Sequence, residues 1–149
     1  MKQIYRVDKS GNLAQAISEI TAPKLLLLMS NNEQFEQHVE ELERHFPGVP
    51  SIGCIGGSYG GQTVVADNGV AVIAMEGNLS VVTNVLEQAS TMPVKYIGRL
   101  EEDINKVAAS ENVYQCSIIL SSPTTLITLS LYVFIAPSAS ILVAASSLI

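Results

Sequence analysis

The chain has 149 residues, of which 48% are hydrophobic and 15% charged, against about 25% charge in an average soluble domain, so one sizeable core and a thinly charged surface are expected. Its formal charge of -6 has the wrong sign for a protein that tracks phosphates, and nucleic acid is not an expected partner. The only two cysteines, Cys54 and Cys116, lie too far apart in sequence for a close zinc-binding pair and fit reduced, buried thiols in a reducing compartment.

The first residues, Met1-Lys2-Gln3-Ile4-Tyr5-Arg6, run straight into polar Asp8-Lys9-Ser10-Gly11 with no apolar run of signal-peptide length, which points to the cytoplasm. Residues 4–7 form a short strand candidate. Asp8, Ser10 or Asn12 is placed to cap a helix in which Leu13, Ala16, Ile17 and Ile20 recur at helical spacing, ended by Pro23. The apolar run 25–29, bounded by Pro23 and by Ser30-Asn31-Asn32, predicts a strand covered on both faces.

The clearest helical pattern is 33–46, where Phe35, Val39, Leu42 and Phe46 fall on one face. Asn31 or Asn32 supplies its cap and Pro47-Gly48 its stop. Residues 49–55 read as the next strand and lead into Gly56-Gly57-Ser58-Tyr59-Gly60-Gly61, too glycine-rich for a regular element. The β-prone runs 63–66 and 70–75 are separated by Asp67-Asn68-Gly69, a connection of hairpin length, and 79–85 extends the meander. After a loop containing Met92-Pro93, residues 100–109 carry a helical pattern and 114–120 a final strand. The expected fold is α/β: a mixed layered sheet with a central β-meander or hairpin and flanking helices.

The tail breaks with this composition. No residue after Glu111 is charged, and residues 126–149 contain no Asp, Glu, Lys, Arg or His. The length suits a membrane anchor, whereas Pro137, the serines at 130, 138, 140, 146 and 147 and the lack of a basic flank oppose one. A frameshifted or truncated end is the leading reading, with strands completing the sheet as the third. The organisation expected is a partial domain over 1–122 and an uncharged tail over 123–149, through which the chain is expected to self-associate.

An apolar strand, an acidic helix ending in Phe46-Pro47-Gly48, the stretch Val49-Pro50-Ser51-Ile52-Gly53-Cys54, a glycine-rich turn and a link through Asp67-Asn68-Gly69-Val70 together resemble the FIST N-terminal domain over about residues 23–120. The resemblance implies an intracellular sensory module that binds a small ligand such as an amino acid, usually beside a FIST C-terminal domain or a signalling output protein. It leaves haem open as a cofactor. The family's loop tends to continue Gly-Cys-Ser-x-x-Gly-Glu, where this chain has Ile55 after Cys54 and Gly60-Gly61-Gln62 later.

The expected ligand-binding set is Gly53, Cys54, Gly56, Gly57, Ser58, Gly60 and Gly61, because consecutive backbone amides without side chains can line an anion or carboxylate pocket. The plainer reading of this segment is a tight turn between strands. His38, Glu41 and His45 share a stripe of the helix that can bind a metal, but a solvated acidic face explains them more simply, and no metal is expected. Cys54 beside glycine amides, with His38 or His45 as base, would make a hydrolase or transferase. The preferred reading is an inert thiol, a sensor and no catalytic residues; a fragment without independent function is the third possibility.

Overall fold

The computed structural model describes residues 1–56, 58–60, 63–65, 68–85, 93–107, 114–120 and 139–145. The chain is α/β and divides into two compact units, Met1–Asn78 and Leu79–Ile149. In the first unit the elements run β1 (Lys2–Asp8), α1 (Leu13–Ile17), β2 (Pro23–Ser30), α2 (Phe35–His45), β3 (Ser51–Ile55), β4 (Ser58–Gly60), β5 (Thr63–Val65) and β6 (Val70–Glu76). The second holds β7 (Ser80–Val85), α3 (Pro93–Lys106), β8 (Tyr114–Leu120) and β9 (Ala139–Ala145).

The first unit is built on a four-stranded sheet in the order β1-β6-β2-β3. β6 runs antiparallel to both β1 and β2, and β3 runs parallel to β2. The strands β1, β2 and β3 therefore point the same way, linked through α1 and α2. Leu26 and Leu28 of β2, Val70, Val72 and Ala74 of β6 and Ile4 of β1 meet Leu13, Ala16, Ile17 and Ile20 from the α1 segment and Leu42 from α2. Burying each of the larger side chains contributes about 1.5–3 kcal/mol, which makes this layer the main source of the unit's stability.

Leu25, Leu26, Leu27 and Leu28 are all buried, as expected for a strand with both faces covered. Asn12 caps α1 by accepting from Gln15 N at 3.1 Å, while Asp8 closes the preceding turn through Ser10 N and Asn12 N. Pro23 opens β2, and α1 has already ended at Ile17. Gly48 follows α2 in the left-handed region at φ 73, the conformation its stop signal requires.

Two expectations need correction. The helix face is rotated by one residue: Val39 is 39% exposed, and His38 is buried beside Leu42, with Phe35 and Phe46 packed at the edge of the core. Polarity misled because His38 satisfies both ring nitrogens inside the protein. The pairing of the middle strands also differs. β5 pairs with β4, which falls in the segment read as irregular, and β6 lies between β1 and β2 without a meander to β7. Val70, Ala71, Val72 and Ala74 are fully buried, so β6 needs neighbours on both edges, which a three-residue β5 cannot supply.

In the second unit, β9 lies between β7 and β8 and is parallel to both. The uncharged tail thus contributes a central strand. The helix expected at 100–109 starts earlier, at Pro93, a residue suited to a first helical turn because it has no amide hydrogen to leave unpaired. Asp103 is buried with its carboxylate accepting from Lys106 Nζ at 2.7 Å and from Asn84 Nδ2.

Candidate functional site

Because β1, β2 and β3 run in one direction, their carboxyl ends open on the same edge of the sheet, the edge at which open α/β sheets bind ligands. Three loops leave from it: Lys9-Ser10-Gly11-Asn12 after β1, Asn31-Asn32-Glu33-Gln34 after β2, and the glycine-rich segment after Ile55. The start of β6 joins them, since Asp8 stands opposite Val70 in the register.

Gly11 is the wedge of this edge. Its φ of 79 favours glycine, and a Cβ there would lie 2.6 Å from the Asn68 carbonyl oxygen and 2.8 Å from Gln34 Oε1. The Gly11 carbonyl accepts from His38 Nε2 at 3.0 Å. On the other side of the ring, Nδ1 lies 2.7 Å from Ser30 Oγ at the end of β2. A carbonyl can only accept, so Nε2 carries the hydrogen; in the neutral ring Nδ1 then accepts from the Ser30 hydroxyl. Asn31 clamps the next turn, its Oδ1 accepting from Gln34 N at 2.8 Å and its Nδ2 donating to Gln34 Oε1 at 3.0 Å.

The residues expected to bind ligand fall into separate places. Gly53 lies within β3 on the helix side, where a Cβ would meet the Phe35 ring at 3.2 Å and the Leu28 carbonyl oxygen at 3.2 Å. Its neighbour Cys54 belongs to the opposite face, in register with Met29. One pocket on either face cannot hold both side-chain positions. Gly56 is exposed and donates its amide to Ser30 O at 2.9 Å. Among the described residues a Cβ at Gly56 would meet only Cys54 Sγ, at 4.0 Å. Ser58 and Gly60 lie in β4, paired with Val65 and Thr63. Gly57 and Gly61 lie outside the described residues.

Cys54 is a free, half-buried thiol, and burial raises its pKa, which disfavours the nucleophilic thiolate. The sheet stands between its face and the helix side on which His38 is held. His45 is exposed at the end of α2, with Nδ1 donating to Glu41 O at 2.9 Å. The stripe of His38, Glu41 and His45 therefore does not converge, and no group of three metal-ligating side chains occurs among the described residues. Haem does not fit His38 either, because both ring nitrogens are engaged and the residue is buried.

The cluster of Gly11, Ser30 and His38 was not among the expected site residues. Its signal in the sequence is a serine closing an apolar strand, with a histidine eight residues later on the helical stripe of Phe35 and Leu42. Among the described residues no helix is long and apolar enough to cross a membrane. No curated protein and no solved structure gives a significant match to this chain. The model of the FIST N domain family matches residues 24–147, through β2, the glycine-rich segment and β9 alike. The chain belongs to the FIST N domain family, a family of sensory domains.

Proposed function

We propose that this protein is a cytoplasmic sensory domain that binds a small ligand, an amino acid in the first instance, at the carboxyl edge of β1, β2 and β3. It passes the bound state to a signalling output protein or a FIST C-terminal domain. The observation that carries the reading is the convergence of the Gly11 loop, the Asn31 loop and the exposed Gly56 backbone on one edge of a same-direction strand set. Gly56 is exposed on that edge. The sensory character of the family supports binding as the task, and the raised pKa of the Cys54 thiol argues against nucleophilic chemistry there.

The test is a thermal-unfolding panel of the common amino acids and related small carboxylates, with each compound recovered and analysed afterwards. A ligand at a hundred times its Kd stabilises the native state by about 2.7 kcal/mol. The expected result is stabilisation by one compound class with the compound unchanged. Turnover that disappears in Cys54→Ala would replace the sensor with an enzyme, whereas the sensor reading expects Cys54→Ala to hold affinity within about tenfold, roughly 1.4 kcal/mol.

A further inference from the structure

We propose that His38 is the positioning residue that couples the β1–α1 loop to α2, so that displacement of Gly11 at the carboxyl edge is transmitted into the helix. The imidazole spans three chain segments: it belongs to α2, donates to the Gly11 carbonyl at 3.0 Å and lies 2.7 Å from Ser30 Oγ at the end of β2. Both His38 and Ser30 are buried, at 2% and 0% exposure, so water does not replace either partner.

The loop that His38 holds has little freedom to move alone. Gly11 is seated against the Asn68 carbonyl and Gln34 Oε1 so closely that a methyl group does not fit. Gln34 is in turn tied to Asn31 through both its backbone amide and its side chain. An outward shift of the Gly11 carbonyl leaves Nε2–H without an acceptor in a dry site, and the ring has to follow. Because the ring is part of α2, its movement reaches the turn that holds Leu42 against the core. The Ser30 hydroxyl has a second acceptor within reach, Asn31 O at 3.4 Å, so the network has another arrangement available when the ring moves.

The coupling deepens the ligand reading by naming how that edge reports, but it can be tested without a ligand. In the full chain, nitrogen-15 NMR of the His38 ring is expected to show the Nε2–H tautomer with a slowly exchanging Hε2. Gly11→Ala pushes the loop; it is expected to speed exchange of Hε2 and to raise amide exchange from His38 to Leu42 by about tenfold, leaving Leu27 and Val72 in the sheet unchanged. In His38→Phe, which keeps a ring without its hydrogen bonds, Gly11→Ala is expected to lose its effect on α2. Should Gly11→Ala fail to fold, His38→Phe alone carries the test, with faster exchange expected at Asn12 and Gln15. An Nδ1–H tautomer, an α2 that does not respond to Gly11→Ala, or an equal response in the His38→Phe background overturns the proposal. Adding the common amino acids singly to the wild-type chain separates it from the ligand reading. A compound that shifts Gly11 without shifting α2 overturns the coupling, and failure of every compound to bind overturns the ligand reading while the Gly11→Ala result decides the coupling.

Discussion

Two glycines three residues apart have opposite duties, and the difference is steric. Gly53 has the Phe35 ring and the Leu28 carbonyl in the way of any side chain, whereas among the described residues Gly56 has nothing nearer than Cys54 Sγ at 4.0 Å. Gly53→Val is therefore expected to cost about 1–3 kcal/mol in urea unfolding, the usual range for overpacking. Gly56→Ala should leave the unfolding midpoint within about 0.5 kcal/mol and weaken ligand binding by obstructing close approach to the backbone. Equal midpoints for the two variants would contradict the assignment. In the second unit, burial alone would push the Asp103 carboxyl up, but the hydrogen bonds from Lys106 and Asn84 and the charges of Lys106 and Arg99 outweigh it and hold the group below its ordinary 3.8. A carboxyl depressed on folding contributes stability above its unfolded value and loses it as pH falls through the folded one. Acid unfolding followed at the β7 and α3 amides should accordingly become less steep below about pH 4 in Asp103→Asn, and an unchanged acid limb would show that the pair adds nothing.

Along the elements, α2 gives the sharpest contrast. Leu42 is 3% exposed and Val39 is 39% exposed, so Leu42→Ala is expected to cost about 2–5 kcal/mol and Val39→Ala under about 1 kcal/mol. The reverse order in chemical denaturation would restore the face that the apolar letters suggest. How much was legible depends on which force set each element. The run from Leu25 to Leu28, the stop at Pro47-Gly48 and the cap at Asn12 could be read because local chemistry fixes them. The burial of His38 could not be read from hydropathy, since its partners, Gly11 and Ser30, come from elsewhere in the chain. Pairing of β6 with β1 and β2 was hidden for the same reason: Asp67-Asn68-Gly69 has hairpin length, but long-range burial of Val70, Ala71 and Val72 decided their neighbours. Of the glycine-rich segment, Gly56 is exposed, while the split between Gly53 and Cys54 followed from strand alternation that glycine content obscures.

For the molecule as a whole, the last strand determines whether the second unit has a sheet. β7 and β8 each pair with β9, so β9 supplies the ladder that joins them. Removing everything after Ser122 should expose both of their inner edges and increase self-association, because unpaired strand edges template further pairing. Analytical ultracentrifugation of the full and shortened chains checks this, and a shortened chain that associates less would make the tail an appended adhesive segment. The same experiment followed by amide exchange should show β7 and β8 losing protection while β2 and β6 keep theirs. Whether the first unit senses a ligand at the carboxyl edge of its same-direction strands is decided by nitrogen-15 chemical-shift mapping with the compound that stabilises the chain. Saturable shifts in Lys9 to Asn12, Asn31 to Gln34 and residues 56–61 are expected, with the compound unaltered. Saturable shifts confined to the exposed end of α2 around His45, or to the second unit, would place the ligand elsewhere and refute binding at that edge.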